Sequence, residues 1–311
     1  MKRREFLKRT TGAGLSALFI SDSIFESPRH DTQAAEVYSF SVARGKDTRK
    51  AVNASIEALG GMKRFISKND IVMIKPNIGW DRTAVQAANT NPEVVASLVA
   101  LCLSAGAKTV KVTDNTCNEA RRCFKNSGIA DAARSAGAEV YFLDERNIVK
   151  DKMGGDVLSL WPIYRDFKEV DKIINVPVAK HHGLTRLTLG MKNLMGAIGG
   201  RRNGLHQQID NALADLAEYF KPTLTVVDAV RILTANGPQG GSSSDVMRTD
   251  TIIAGTDIAT VDALAAHHFA QHAGKGFKDL SPSDYPFIRV AAERGLGTMN
   301  IAAVKVKEIT L

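Results

Sequence analysis

The apolar positions of the chain alternate between two spacings, which predicts strands and helices in turn. Short apolar runs such as IVMIK (71–75) and KIINV (172–176) are typical of buried strands. Between strands, apolar residues recur at helical spacing, as at Val52, Ile56 and Leu59. The predicted connections are short, so we expect an α/β fold whose sheet is mostly parallel or mixed, with helices on both faces.

Capping residues mark the ends of several predicted helices. Asp47, Asn91 and Asp257 each precede a helical pattern and are expected N-caps. Pro92 follows Asn91 at the first helical position, and Gly106 is expected to end that helix.

The alternation is interrupted over residues 148–170, which contain Gly154-Gly155 and Trp161-Pro162. The interruption predicts either a boundary between two lobes or an inserted hairpin. The pattern then resumes and ends in VKVKEIT (304–310), which is expected to be an edge strand.

Polar side chains come at the ends of four predicted strands. In chain order they are Lys75 and Asn77, Asp114 and Asn115, Lys180 with His181 and His182, and Asp228. Ligands of open α/β sheets bind beyond the carboxyl ends of the strands. We therefore expect a polar site at this edge of the sheet.

The net charge changes the picture by favouring an anionic partner. The 311-residue chain carries a formal charge of +8, and no acid lies between Lys172 and Ile209. Aromatic residues make up only 6%, too few for stacking on unpaired bases, and no nucleic-acid-binding motif is present. A small anionic ligand is thus expected, and a nucleic acid is not.

The first 34 residues have the layout of a secretory leader, with a basic start, an apolar segment over 12–20 and a polar spacer. Residues 3–8, RREFLK, resemble the twin-arginine export motif. We therefore expect residues 1–34 to be a signal peptide read by the twin-arginine export machinery, and residues 35–311 to be a periplasmic or otherwise exported soluble domain. The apolar segment is shorter than the roughly 20 residues of a membrane span, so no span is expected after cleavage.

The three cysteines, Cys102, Cys117 and Cys123, do not form a C-x2-C or ferredoxin-type run. No iron–sulfur cluster is therefore expected from them. In an oxidising compartment Cys117 and Cys123 could close a small disulfide loop, and two unpaired thiols are the alternative.

Several segments in one order resemble the family catalogued as domain of unknown function 362. They are KPNIG, VPVAKHH, LGMKNLMGAIGG, VVDAV, NGP and GTDIATVDALAA, and they extend over most of the chain after the leader. The family has no settled common activity. Many members carry a ferredoxin-like cysteine insert, which this chain lacks, so an iron–sulfur function is not carried over.

What the resemblance implies is a set of polar positions. They are Lys75, Asn77, Asp114, Lys180, His181, Lys192, Asn193, His206 and Asp228.

A first hypothesis assigns these residues to an enzyme site for a small carboxylate or phosphate. The substrate-binding residues would be Lys75, Asn77, Asp114, Lys180, Asn193 and Arg202, with backbone N–H groups of Gly199-Gly200 assisting. Lys192 is the first catalytic candidate, since its apolar flanks would lower its pKa. His181 or His206 would act as general acid or base, and Asp228 would orient a histidine.

Two alternatives remain open. A metal- or cofactor-bearing envelope redox protein would use His181, His182 and His206 with Asp114 or Asp228 as ligands. Against this, adjacent histidines on a strand point to opposite faces. His268 and His272, spaced i, i+4, are interpreted as a helix end. The other alternative is a non-catalytic assembly or binding factor, so the sequence leaves open whether the protein is an enzyme.

Overall fold

A ten-stranded mixed β-sheet forms the centre of the computed structural model, which describes residues 39–274 and 276–311. The predicted signal peptide, residues 1–34, lies outside the described residues. The strands of the described ranges are β1 (Phe40–Arg44), β2 (Ile71–Pro76), β3 (Thr109–Val112), β4 (Glu139–Val140), β5 (Ile148–Lys152), β6 (Leu160–Tyr164), β7 (Lys172–Val176), β8 (Val178–His182), β9 (Arg186–Thr188), β10 (Leu224–Leu233), β11 (Val246–Gly255) and β12 (Val306–Thr310).

The α-helices of the same ranges are α1 (Thr48–Ala58), α2 (Pro92–Ala105), α3 (Ala120–Asn126), α4 (Ile129–Ser135), α5 (Gly190–Asn193), α6 (Ile209–Phe220), α7 (Ile258–His272) and α8 (Pro286–Glu293). In the part of the chain described, no helix is both long and apolar enough to cross a bilayer.

The strand order is β12-β1-β11-β10-β7-β2-β3-β4, and β8 joins β10 and carries β9. The strands from β10 through β7, β2 and β3 to β4 are parallel, whereas β11 is antiparallel to both its neighbours. The predicted fold class is confirmed, and β12 is the edge strand that its pattern indicated.

Both faces of the sheet are covered because strand side chains alternate between them. Val72 and Ile74 of β2 belong to one hydrophobic core, which includes Leu98 of α2. Met73 points the other way and belongs to a second core, which includes Leu213 of α6. Helices α1 to α4 cover the first face, and α5 to α8 cover the second.

The three predicted N-caps are confirmed. Asp47 accepts from the N–H of Lys50 at 3.0 Å, and Asp257 accepts from the N–H of Thr260 at 2.9 Å. Asn91 accepts from the N–H of Glu93 at 3.0 Å.

Three strands differ in length from the apolar runs of their sequence. The run EVYFL (139–143) is a strand only at Glu139–Val140. In contrast, β10 and β11 each continue for ten residues, so that Asp228 lies within β10 and not after it. A charged residue normally ends a buried strand, but Asp228 is tolerated because backbone N–H groups of Asn91 and Val230 satisfy its carboxylate.

Residues 148–170 form an inserted hairpin, one of the two predicted alternatives. Strands β5 and β6 pair antiparallel, from Ile148 opposite Tyr164 to Lys152 opposite Leu160. Contacts among the described residues place this hairpin in the same compact unit as the sheet.

The hairpin loop is held by a buried carboxylate of α6. Asp215 accepts from the backbone N–H groups of Val157 and Leu158 at 2.8 and 2.9 Å. It also receives a guanidinium N–H of Arg294 at 2.5 Å, and its own side chain is fully buried. One carboxylate thereby links the hairpin to α6 and to the end of α8.

Replacing this carboxylate tests the attachment of the hairpin. Asp215→Ala leaves buried N–H groups and the Arg294 guanidinium without their acceptor, so we expect the free energy of unfolding to fall by about 3 kcal/mol. Glu308→Ala is the control, because it removes an exposed ion pair with Arg44 and should cost less than about 1 kcal/mol. Urea unfolding measures both, and equal losses would contradict the prediction.

Candidate functional site

A cavity of about 390 Å³ lies where the carboxyl ends of β2 and β3 meet β8 and α5. Eight of the ten residues predicted for the site line it. They are Lys75, Asn77, Asp114, Lys180, Lys192, Asn193, Arg202 and His206. Further lining side chains are Trp80, Asn115, Cys117, His182, Leu184, Thr188, Met195, Asn203 and Pro238.

The other two predicted residues, His181 and Asp228, are not among the lining residues. Nδ1 of His181 accepts from the N–H of Gly237 at 3.0 Å, and its ring meets Phe277 edge-on. Because His182 is the next residue on β8, its ring takes the opposite side and faces the cavity. Asp228 instead binds the N–H of Asn91 at the start of α2, and burial raises its pKa to about 6.

A buried ion pair forms the floor of the cavity. Nζ of Lys75 lies 2.6 Å from Oδ1 of Asp114, and both side chains are at least 96% buried, with exposures of 1% and 4%. The second carboxylate oxygen of Asp114 accepts from the N–H of Ile78 at 2.7 Å. Burial lowers the pKa of Lys75, while the adjacent Asp114 carboxylate opposes that shift. The predicted cluster of polar residues at the strand ends is therefore present, and its acid, Asp114, forms an ion pair with one of its lysines, Lys75.

Two asparagines extend this pair across the sheet. Asn193 accepts at Oδ1 from Lys75 Nζ (3.0 Å) and from Asn77 Nδ2 (3.3 Å). Its Nδ2 donates to the carbonyl of Lys75 and to Oδ1 of Asn175 at 3.0 and 2.9 Å. Asn77 in turn accepts from Nζ of Lys180 at 3.2 Å. All four hydrogen-bonding positions of the Asn193 amide are used within the protein.

Lys180 is buried, and no carboxylate in the described part of the chain pairs with it. Its Nζ donates to the carbonyl of Ala88 at 2.5 Å and lies 6.0 Å from the ring centroid of Trp80. Burial lowers the pKa of Lys180 to about 7, an effect that Cys117 and Asp114 oppose and that the neighbouring lysines Lys192 and Lys75 reinforce.

Lys192 is half-buried, and within the described ranges the polar contact of its Nζ is the thioether of Met195 at 3.1 Å. A thioether is a weak acceptor, so this ammonium has little local compensation. Burial lowers the pKa of Lys192 to about 8, the direction expected from its apolar flanks.

The short helix α5 is placed by a carboxylate from α7. Asp262 accepts from the N–H groups of Gly190 and Met191 at 2.6 and 2.9 Å. A Cβ at Gly190 would come within 2.7 Å of this carboxylate, so the close approach requires glycine. Burial raises the pKa of Asp262 to about 7. Asp262 thus fixes the position of Lys192 and Asn193 by holding the start of α5.

His182 and His206 stack at the cavity wall, with centroids 6.4 Å apart and planes 19° apart. Nδ1 of His182 accepts from the N–H groups of Leu184 and Thr185 at 3.1 and 3.4 Å, so the neutral ring carries its proton on Nε2. Burial lowers the pKa of His182 to about 3. Nδ1 of His206 lies 3.0 Å from the carbonyl of Asn203, to which it donates, leaving the Nε2 lone pair of the neutral ring free.

The predicted role of Gly199-Gly200 as an anion cradle is wrong for Gly199. Its N–H donates to the carbonyl of Pro162 at 2.9 Å, and its carbonyl accepts from Trp161. A Cβ there would strike Ile148 of the hairpin. The two glycines allow the β5–β6 hairpin to pack closely against Ile148 and Pro162, and the N–H group of Gly199 is used within the protein.

Arg202 lines the cavity wall, but some of its guanidinium N–H groups already donate within the protein. Its guanidinium donates to the carbonyls of Asn115 and Thr116 at 3.0 and 3.1 Å. The positive charge remains without a carboxylate among the described residues.

Each of the three cysteines is a free thiol. The disulfide predicted as one alternative for Cys117 and Cys123 does not form. Cys123 is buried beneath Gly79, whose carbonyl lies 3.7 Å from its sulfur, whereas Cys117 lines the cavity.

The metal alternative is not supported by the donor geometry. Among the described residues, no three His, Cys, Asp or Glu side chains converge on one point. The side chains of His181 and His182 face opposite ways, and Asp114 is ion-paired with Lys75. His272 donates from Nδ1 to the carbonyl of His268 at 2.8 Å at the end of α7, which agrees with their interpretation as a helix end.

Several site residues were missed in the sequence. Trp80 and Cys117 lie in loops just beyond the strand-end residues, but an aromatic ring or a thiol in a loop does not by itself indicate a ligand site. Asp262 belongs to the segment GTDIATVDALAA, which marked the family resemblance without indicating a role. Asp262 contacts α5 only in the folded structure, so no local sequence pattern indicates this contact.

Comparison with known proteins gives a family and few relatives. A family model described as "Domain of unknown function (DUF362)" matches residues 72–267. The thylakoid-associated protein sll1697 of Synechocystis sp. is 27% identical over 233 residues, which cover 68% of this chain and 71% of that protein. Among solved structures, the lactate racemase apoprotein of Thermoanaerobacterium thermosaccharolyticum aligns with 12% identity and a TM-score of 0.43 over 71% of this chain and 55% of that one.

Gly196 offers a test of the cavity floor. A Cβ at this position would overlap Oδ1 of Asp114 and approach Nζ of Lys75 to 2.6 Å. We expect Gly196→Ala to lower the free energy of unfolding by about 1–3 kcal/mol, because the ion pair must move. Gly204→Ala is the control, since its Cβ meets nothing within 4 Å. Denaturant unfolding in which G196A is as stable as G204A would contradict the close approach.

Proposed function

This chain belongs to the DUF362 family, and from that premise we propose that its cavity binds a small organic anion, a carboxylate or a phosphate, and acts on it as an enzyme. The observation that carries the proposal is the charge of the lining. Three lysines and Arg202 face the cavity, and the one carboxylate among its described lining residues, Asp114, is already paired with Lys75.

Three basic side chains are thereby left without a carboxylate among the described residues, namely Lys180, Lys192 and Arg202. The repulsion between those that carry a charge is relieved when an anion enters, and the interaction is strengthened because a half-buried cavity has a lower effective dielectric than water. An anionic ligand therefore suits the lining better than a neutral or cationic one.

The size of the cavity supports a small ligand. Its volume of about 390 Å³ is near the lower end of the range for small-molecule pockets, roughly 300–1,000 Å³. Trp80, Leu184 and Met195 supply apolar wall beside the charges. A short organic acid or phosphate ester suits such a wall better than a polymer.

Groups capable of proton transfer support catalysis in addition to binding. The free Nε2 of His206 can accept a proton, and the amine of Lys192 has its pKa lowered to about 8, close to neutral pH. The neutral His182 ring offers an Nε2–H donor without adding charge. Binding alone would not require an acid and a base beside the anion.

Anion binding is tested with inorganic phosphate and with acetate. Calorimetric titration should show binding by the wild-type protein that weakens roughly tenfold in Lys192→Met, since each tenfold change is about 1.4 kcal/mol, within the range of a charge-assisted contact. Lys63→Met removes an exposed cation elsewhere and serves as the control. Equal affinities in the two variants would count against Lys192, and no binding of either anion by the wild type would count against the site.

We also propose that the chain is exported by the twin-arginine pathway, on the strength of the RREFLK motif at residues 3–8. In a bacterial host with that pathway, the wild-type chain should reach the periplasmic fraction, and the doubly substituted Arg3→Lys/Arg4→Lys chain should stay in the cytoplasm. Fractionation followed by blotting measures this. An unchanged distribution of the variant would overturn the proposal.

A further inference from the structure

The three lysines of the cavity differ in the partners of their amino groups. Nζ of Lys75 donates to Pro76 O and to Asn193 Oδ1, and the Asp114 carboxylate 2.6 Å away balances its positive charge. That complement fits an ammonium group. Lys75 is therefore a fixed cation.

Lys180 has a different complement. Among the residues that the structure describes, its Nζ meets two oxygen acceptors, the carbonyl of Ala88 at 2.5 Å and Oδ1 of Asn77 at 3.2 Å, and no carboxylate. A neutral amine has two N–H bonds and one lone pair, so these two acceptors satisfy both of its donors. An ammonium would keep a third N–H without a protein acceptor in a buried position, which is unfavourable.

From this geometry we propose that Lys180 is a nucleophile that forms an imine with a small carbonyl compound bearing an acid group. The two oxygen acceptors hold the amine by its N–H bonds and leave the lone pair for the remaining direction, and Lys180 lines the cavity. The inference builds on the proposed anion site, because the acid group of the substrate would be held by the cations of that site.

The electrostatics of Lys180 agree with this assignment. Burial lowers its pKa to about 7, so a large fraction of the amine is neutral at neutral pH. Lys192 is less buried, and its one polar partner is a thioether, so it is free to move toward an incoming anion. One lysine is thereby suited to bond formation and the other to binding the acid group.

The chemistry is balanced without a further reagent. The Nζ lone pair attacks the carbonyl carbon, and the π electrons of the C=O bond move to oxygen. Proton transfer and loss of water, which carries away the carbonyl oxygen and two hydrogens, then leave a C=N bond. A proton from the Lys192 ammonium or from solvent converts the imine to an iminium ion. The Trp80 ring, with its centroid 6.0 Å from Nζ, lies where it can stabilise that cation.

The test is reductive trapping in the full-length protein. Glyoxylate, an aldehyde with a carboxylate, is supplied with cyanoborohydride at pH 7, and the modified lysines are identified by peptide mass mapping. A solvent-exposed lysine has about a thousandfold less neutral amine at this pH than one with a pKa near 7. We expect Lys180 to be labelled at least roughly tenfold faster than the exposed Lys63, allowing for the lower basicity of its amine.

Two matched comparisons separate the amine from the acid-binding cations. Acetaldehyde lacks the carboxylate and should label Lys180 more slowly than glyoxylate does. In Lys192→Met, labelling by glyoxylate should fall while labelling by acetaldehyde is retained. Inorganic phosphate should compete with glyoxylate in the wild type.

The outcomes distinguish this inference from the anion site itself. Labelling of Lys180 no faster than of Lys63, or predominantly at Lys192, overturns the imine assignment; if calorimetry still detects phosphate binding, the anion site stands. Loss of both trapping and phosphate binding overturns both. The mapping is done on the wild-type chain, so it does not depend on whether Lys180→Met folds.

Discussion

The site depends on one buried ion pair, between Lys75 and Asp114. Two adjacent strands bring these residues together, and in a low-dielectric interior each would be costly without the other. Asn193 then accepts from the same ammonium and donates to the backbone of Lys75, which joins α5 to the strand end. The pair therefore fixes the cavity floor, and Gly196 can cross it only because that residue lacks a side chain.

Because the charge of Asp114 is balanced by Lys75 at the floor, Asp114 only partly offsets the effect of burial on Lys180. Lys180 and Lys192 lie beside Arg202 with no second acid among the described lining residues, and burial lowers the pKa of both lysines. The same arrangement explains why His182 stays neutral, since burial and then the nearby lysines lower its pKa. A cavity that disfavours every further positive charge favours the binding of an anion and allows a lysine amine to stay neutral.

The sequence predicted the fold well because its signals are local. Alternating apolar runs and the caps at Asp47, Asn91 and Asp257 define elements without reference to the rest of the chain. It also located most of the cavity, because the residues at the ends of neighbouring parallel strands must meet. The roles predicted for Asp228 and Gly199 did not follow from the sequence. The length of β10 and the packing of the hairpin decide whether their polar groups face a ligand or form hydrogen bonds within the protein.

The hydrogen bonds of Asn193 have a consequence for how such a site can change over time. All four positions of its amide are occupied by Lys75, Asn77 and Asn175, so one substitution there disturbs several partners at once. The side chains of Leu184 and His206 at the cavity wall make few such hydrogen bonds. Divergence toward new ligands is therefore most accessible along the wall, while the strand ends can be altered only by several coordinated replacements.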